Sequence, residues 1–269
     1  MKKNNLIKIV ICLVGMACYA LVFIENESTS DLLGEDNLIE NLGAFFFLIA
    51  SLLYFLSFWW SSGSGKETNH LHPKRNIFYL LLALIFFTGF GEEISWGQRI
   101  FGWEAPPFIK EINRQKETNI HNLKIFNMKQ PDKEYMAVLY LLLNVQTWFF
   151  LFWFSYCLIL PLINQYSLRG NRFISRFGLP LPPLWIGILL LANFLIYTIP
   201  HLTWWIANIN HSLGEISEGN GAPIFSYFNS FKSIFFKHMS EVRESNEAFI
   251  FAVLSFCELK KQLSKKRGG

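Results

Sequence analysis

Long apolar runs dominate this chain and limit what it can fold into. The clearest lies from Leu38 to Trp60 and contains Glu40 as its only charged residue. A helix needs about 20 such residues to cross a hydrocarbon core of about 30 Å. The composition agrees with this class, because 52% of the residues are hydrophobic and only 16% are charged. We therefore predict an all-α, polytopic membrane protein.

The runs predict one integral membrane domain over residues 1–269, a transmembrane helical bundle with about six spans. A long non-cytoplasmic connection follows the third span. A cleaved signal peptide is the alternative for the first run, but that run is long for this purpose and lacks a small-residue cleavage site. The predicted spans are residues 6–24, 38–60, 76–98, 135–163, 184–207 and 241–259.

Basic clusters give the predicted orientation in the cell membrane. They lie at the N-terminus, at residues 66–75, at residues 169–176 and in the C-terminal tail. The positive-inside rule makes that side cytoplasmic, so both termini are predicted to be cytoplasmic. The basic residues of the connection at 101–134 oppose this orientation.

Two adjacent carboxylates, Glu92 and Glu93, close the third apolar run. An ionisable pair at the edge of hydrocarbon is costly, so it indicates a functional site. The alternative is that the pair marks where the helix leaves the lipid. On a continuous helix one stripe holds Glu92, Ser95, Trp96 and Arg99.

Polar residues alternate along the connection that follows. In an extended segment, period 2 would send all of them to one face, although alternation over nine residues of a polar segment can also arise by chance. The alternating residues are Asn113, Gln115, Glu117, Asn119 and His121.

Apart from Glu67 and Glu258, every Asp and Glu falls on the predicted non-cytoplasmic side or in the adjoining helix ends. This crowding predicts one polar pocket opening away from the cytoplasm. The candidate catalytic residues are Glu92, Glu93, Ser95 and Arg99. The candidate metal ligands are His121, His238 and Glu241. The candidate substrate or structural residues are Glu40, Trp96, Gln98, Asn119, Asn122, His201, Glu244 and Glu247.

Histidine and carboxylate ligands suit zinc or another divalent cation, with a spare carboxylate as general base. The sequence has no HExxH, CxxC or HxxxH pattern, no phosphate-binding Gly-Lys-Ser/Thr loop and no Gly-x-Ser-x-Gly elbow. Arg99 could hold an anionic headgroup or neutralise Glu92. The basic residues flank apolar segments, so the expected partners are the bilayer and a lipid-like substrate rather than nucleic acid. The sequence sets no oligomeric state.

Three segments resemble a widespread group of bacterial multi-pass membrane proteins. They are Glu35 to Glu40, the motif GEEISWGQRIFGWE from Gly91 to Glu104, and the motif NxQxExNxHN from Asn113 to Asn122. This resemblance implies a lineage and no particular activity.

The segment Glu35 to Asn41 also resembles the acid- and Asn-rich helix start of the alkaline ceramidase superfamily, seven-helix metal-dependent lipid amidases. That superfamily's late pair of histidines four apart has no counterpart, because His201 and His211 are ten residues apart. This resemblance implies zinc as a possible cofactor.

The leading hypothesis is an enzyme: a metal-dependent membrane hydrolase or transferase acting on a lipid-linked or amphipathic substrate at the non-cytoplasmic leaflet. A proton- or cation-coupled transporter or channel is the first alternative, since intramembrane carboxylates also line ion pathways. A structural or regulatory membrane subunit is the second.

Overall fold

The computed structural model describes residues 3–24, 32–33, 37–61, 75–126, 144–215 and 224–267. Within these ranges the backbone forms helices and turns, with one isolated bridge between Asn113 and Leu123 and no strand. The all-α prediction is confirmed. Helices α1 to α10 are Lys3–Val22, Leu38–Trp60, Ile77–Glu93, Gln98–Phe101, Pro107–Ile112, Val145–Trp153, Leu160–Tyr166, Leu168–Phe177, Leu184–Glu215 and Ile224–Arg267.

Three helical segments in the described ranges are long and apolar enough to cross a membrane: Leu38–Trp60, Val145–Tyr166 and Leu184–Leu202. A fourth candidate combines α3 with Ser95–Phe101, a pair bent by 64°. These segments are consistent with a membrane protein. The first part of the span predicted at 135–163 lies outside the described residues.

Two predicted boundaries need correction. The third span was predicted to continue as one helix to Gln98, but α3 ends at Glu93 because the backbone turns left-handed at Ser95, Trp96 and Gly97. The last helix, α10, begins at Ile224, so the polar connection predicted before residue 241 already contains helix.

The chain divides into two compact units. Unit 1 comprises Met1–Leu42 and Leu189–Glu247, and unit 2 comprises Gly43–Ile188 and Ala248–Gly269. The described core of unit 1 is built from Tyr19, Val22, Leu33, Ile39, Met239 and Val242. Their burial gives α1 and α10 an apolar contact surface within that unit.

Aromatic rings form the core of unit 2. Phe86 of α3 is fully buried, and its ring centroid lies 5.6 Å from that of Tyr54 and 4.7 Å from that of Phe251. Such pairs contribute about 0.5–1.5 kcal/mol each beyond the burial of their area. This packing fixes α3, which carries the candidate site at its C-terminal end.

A π-helical turn, Phe154–Ile159, joins α6 to α7. Pro161 follows it and lacks the N–H that would bond the carbonyl of Cys157 in an α-helix. The backbone of Gly187 approaches this carbonyl so closely that a Cβ at Gly187 would lie 2.2 Å from the oxygen. Glycine is therefore required at this crossing.

Candidate functional site

A strained turn at the end of α3 builds the candidate site in unit 2. Ser95, Trp96 and Gly97 have φ angles of 48°, 53° and 92°. For residues with a side chain this region costs about 1–2 kcal/mol each, so surrounding contacts must offset the strain. The turn brings the indole of Trp96 back over Gly91, where a Cβ would lie 2.9 Å from the ring. Gly91 thus permits the close packing of the indole.

The Glu92 side chain is the first centre of the site, and the residue is only 8% exposed. Its Oε1 accepts from Nε1 of Trp96 at 2.6 Å. Its Oε2 accepts from the main-chain N–H groups of Ile120 at 2.7 Å and His121 at 2.8 Å. These three donors fix the carboxylate and tie the connection after α5 to the end of α3. Such charge-assisted bonds are stronger than neutral ones.

His121 completes a pair with this carboxylate. Nδ1 of its ring lies 3.2 Å from Oε2 of Glu92, and the side chain is 30% exposed. Nε2 of the same ring lies 3.0 Å from Nδ2 of Asn122. With Glu92 ionised, the Nδ1–H group donates a hydrogen bond to the carboxylate, and Nε2 accepts one from the Asn122 amide.

The Glu117 carboxylate is the second centre. Its Oε2 accepts from the hydroxyl of Ser95, from Nη2 of Arg99 at 3.1 Å and from Nδ2 of Asn119 at 3.0 Å. Arg99 also donates through Nη1 to the main-chain carbonyl of Glu93 at 3.1 Å. The guanidinium therefore neutralises Glu117, a partner that the sequence analysis did not name.

Amide side chains hold the connecting segment in its folded-back path. Asn113, fully buried, donates through Nδ2 to the carbonyl of Asn119 at 2.7 Å, and its Oδ1 accepts from the N–H of Gln115 at 2.9 Å. Oε1 of Gln98 accepts from the N–H of Thr118 at 3.0 Å. These bonds satisfy buried polar groups that would otherwise be costly.

The segment that forms this polar network also carries large apolar side chains that are exposed. Trp96 is 41% exposed and Phe101 is 79% exposed. Other exposed apolar residues of the same segment are Ile100, Trp103, Phe108, Ile112 and Ile120. Exposed aromatic groups beside a polar cluster are typical of a site at a membrane interface.

The structure brings together eight of the predicted site residues in unit 2: Glu92, Ser95, Trp96, Gln98, Arg99, Asn119, His121 and Asn122. Glu93 contributes its main-chain carbonyl. The remaining predicted residues belong to unit 1: Glu40, His201, His238, Glu241, Glu244 and Glu247. The single pocket joining both sets stays a prediction.

In unit 1, Arg243 pairs with two of the predicted acidic residues, and sequence reasoning missed this arginine. Nη2 of Arg243 lies 2.5 Å from Oε1 of Glu244, and its Nε lies 3.8 Å from Oε1 of Glu247. The guanidinium also lies over the ring of Tyr197, at 4.8 Å from its centroid. The His201 ring stacks on Tyr197, with centroids 5.8 Å apart.

The metal centre predicted from His121, His238 and Glu241 finds no direct counterpart. Among the described residues no group of three His, Cys, Asp or Glu side chains is placed to hold a metal ion. The contacts of the His121 ring described above are the Glu92 carboxylate and the Asn122 amide.

Sequence reasoning also left Glu117 out of the candidate site, although this residue links Ser95, Arg99 and Asn119. Its signals were the alternation from Asn113 to His121 and its place in the NxQxExNxHN motif.

No protein-family model, curated protein or solved structure matches the chain.

Proposed function

We propose that the chain is a membrane enzyme, a hydrolase or transferase that acts on a lipid-linked or amphipathic substrate at the non-cytoplasmic leaflet. The observation that carries this proposal is the Glu92–His121 pair: a carboxylate 3.2 Å from Nδ1 of a ring that remains 30% exposed. A carboxylate that orients an imidazole in this way is a common acid–base arrangement.

His121 is the proposed acid–base residue and Glu92 its positioning residue. When the half-buried Asn122 amide swings aside, Nε2 takes a proton from water or from a substrate hydroxyl, and the oxygen attacks the acyl or phosphoryl centre. The imidazolium then returns that proton to the leaving group. Glu92 stabilises the imidazolium during the reaction.

The preorganised hydrogen bonds to Glu92 support its role in positioning His121. The N–H groups of Trp96, Ile120 and His121 hold the carboxylate before any substrate binds. A reacting group held by a complete hydrogen-bonded shell pays little reorganisation energy during catalysis. The left-handed backbone at Ser95 and Trp96 adds strain of the kind that clusters at functional sites.

Ser95 and Arg99 receive a positioning role in this proposal. The Ser95 residue is fully buried and its hydroxyl donates to Glu117, so a substrate has no path to it in this arrangement. Arg99 is engaged by Glu117 and by the Glu93 carbonyl. Both residues hold the segment that presents His121.

The proposed architecture is a multi-pass bundle of about six spans with both termini cytoplasmic. The exposed Trp96, Phe101 and Trp103 side chains would contact the apolar part of the substrate at the interface. A bound zinc or other divalent ion is the alternative source of an activated water.

Hydrolysis assays with the full chain in detergent test the proposal. The probes are a methylumbelliferyl acyl ester, a fluorescent phospholipid and a fluorescent ceramide. We expect turnover of at least one probe, reduced about 100-fold or more in His121→Gln, since general acid–base catalysis contributes about 10²–10⁴-fold. Glu104→Gln is the matched control for Glu92→Gln, because the Glu104 side chain is 87% exposed.

Two results would remove the enzyme proposal: no turnover of any probe, or equal turnover by wild type and His121→Gln. Activity that a chelator abolishes and zinc restores would assign the water activation to a metal. Survival of all acid-to-amide variants in a cellular assay would favour the structural or regulatory role.

Transport is the second candidate function, and the pairing of Arg243 with the buried Glu247 in unit 1 favours it. Glu247 is 3% exposed and lies beside Arg243 on α10. Buried ionisable residues on membrane helices mark proton and ion pathways. In proteoliposomes with an internal pH dye, this candidate predicts proton flux that Glu247→Gln abolishes and Glu104→Gln preserves. Impermeable proteoliposomes would refute it.

A further inference from the structure

Helix α8 lies between two candidate membrane spans along the chain. The candidate span Val145–Tyr166 ends just before it, and the candidate span Leu184–Leu202 begins shortly after it. Ser167 caps the helix by accepting from the N–H of Gly170 at 3.1 Å, and Gly178 ends it with φ 66°. This short helix is therefore separate from both candidate spans and lies where the chain turns back between them.

Three arginines occupy one face of α8. Arg169, Arg172 and Arg176 are spaced by three and four positions, so at about 100° per residue they fall within a sector of roughly 60°. Ile174 is the only buried residue that the helix has, and it lies roughly opposite them. The arginine face is therefore directed away from the body of the protein.

The sequence around this face is purely basic in its charged residues, since residues 160–190 contain no Asp or Glu. Exposed apolar side chains flank it instead. Tyr166 is 76% exposed, Leu168 81% and Phe173 64%. A basic stripe bordered by exposed aromatic and aliphatic groups fits the boundary between headgroups and acyl chains.

We propose that α8 is a binding surface for anionic phospholipid headgroups. The guanidinium groups of Arg169, Arg172 and Arg176 bind the headgroup phosphates, for which their planar donor fork is suited. Leu168 and Phe173 enter the acyl boundary beside them. The position of the helix between two candidate spans makes the surrounding bilayer its occupant, and the proposal does not depend on the enzyme function.

Native mass spectrometry of the full chain in detergent tests this surface. The protein is titrated with phosphatidylglycerol and, separately, with phosphatidylcholine. We expect tighter binding of phosphatidylglycerol by the wild type. Each arginine near an anionic surface contributes about fivefold to affinity, so R169Q/R172Q/R176Q should weaken phosphatidylglycerol binding roughly 100-fold.

A matched control removes three exposed basic residues elsewhere in unit 2, as R114Q/K116Q/K124Q. We expect a change of about threefold or less, because these residues do not share one helical face. Equal losses in the two triple variants, or an unchanged affinity in the arginine variant, would overturn the proposal. Unchanged elution volume and thermal midpoint show that each variant is folded.

A second arm separates a lipid surface from a site for free anions. Millimolar inorganic phosphate should leave phosphatidylglycerol bound, whereas L168S/F173S, which keeps all three arginines, should weaken its binding. Displacement of the lipid by inorganic phosphate, or full affinity in L168S/F173S, would overturn the lipid assignment.

Discussion

Trp96 donates its indole N–H to the Glu92 carboxylate over 2.6 Å, across a turn where helix α3 has already ended. The two residues are four apart in sequence, the spacing of neighbours on a helix face. Here the contact arises from a left-handed turn, which folds the indole back over Gly91. The candidate site therefore depends on close backbone packing at that glycine.

Gly91→Ala should displace the indole and destabilise the site. The new Cβ would lie 2.9 Å from the Trp96 ring, closer than ordinary contact, and overpacking of this kind costs about 1–3 kcal/mol. Thermal unfolding in detergent measures the loss. Gly89→Ala is the matched control on the same helix, since its Cβ would meet Phe47 at 3.4 Å. Equal unfolding midpoints for the two variants would contradict the packing argument.

Glu92→Gln should destabilise the connection after α5. The amide keeps one acceptor oxygen for the N–H groups of Ile120, His121 and Trp96, and its own NH₂ group faces one of these donors. Leaving buried donors unsatisfied costs about 1–3 kcal/mol. Faster amide hydrogen exchange at residues 117–122 would report the loss directly, with exposed Glu104→Gln as the unchanged control. Wild-type exchange in Glu92→Gln would show that the carboxylate does not hold this segment.

Sequence reasoning predicted the helical class because long apolar runs need every backbone group bonded within the segment. It also placed Glu92, Ser95, Trp96 and Arg99 on one helical stripe, whereas in the structure Trp96 contacts Glu92, and Ser95 and Arg99 contact Glu117. A continuous helix was assumed, whereas positive φ at Ser95 and Trp96 carries no reliable signature in residues other than glycine, aspartate and asparagine.

The alternation from Asn113 to His121 was similarly informative and similarly misread. All five alternating side chains take part in hydrogen bonds of the site, yet the segment is a folded-back loop rather than an extended strand. Period 2 could indicate which side chains face inward. It could not give Glu117 its partners Ser95 and Arg99, because those contacts depend on where the turn after α3 directs the chain.

Two substitutions at Ser95 should separate hydrogen bonding from backbone strain. Ser95→Ala and Ser95→Gly both remove the hydroxyl that donates to Glu117 and accepts from Nδ2 of Asn119 at 3.2 Å. Only glycine also relieves the φ of 48°. We expect both variants to be less stable than wild type, by about 1–3 kcal/mol for alanine. Glycine should recover about 1 kcal/mol of that loss. Chemical denaturation in mixed micelles measures both values, and a glycine variant less stable than the alanine variant would contradict the strain assignment.

Gly187→Ala should be the most damaging of these changes, because the atom it meets cannot move away. Its Cβ would lie 2.2 Å from the Cys157 carbonyl oxygen, which is main chain in the π-helical turn. Gly170→Ala is the comparison variant. Its Cβ would also lie 2.2 Å from a neighbouring atom, but that atom is Cγ2 of the Ile163 side chain. A side chain can change rotamer at a cost of about 0.5–1.5 kcal/mol, whereas separating two helices opens the packed core. We expect Gly170→Ala to fold with a slightly lower midpoint and Gly187→Ala to lose most of its folded yield, as measured by size-exclusion chromatography and thermal unfolding. Similar yields and midpoints for the two variants would show that the helix crossing at Cys157 is not close-packed.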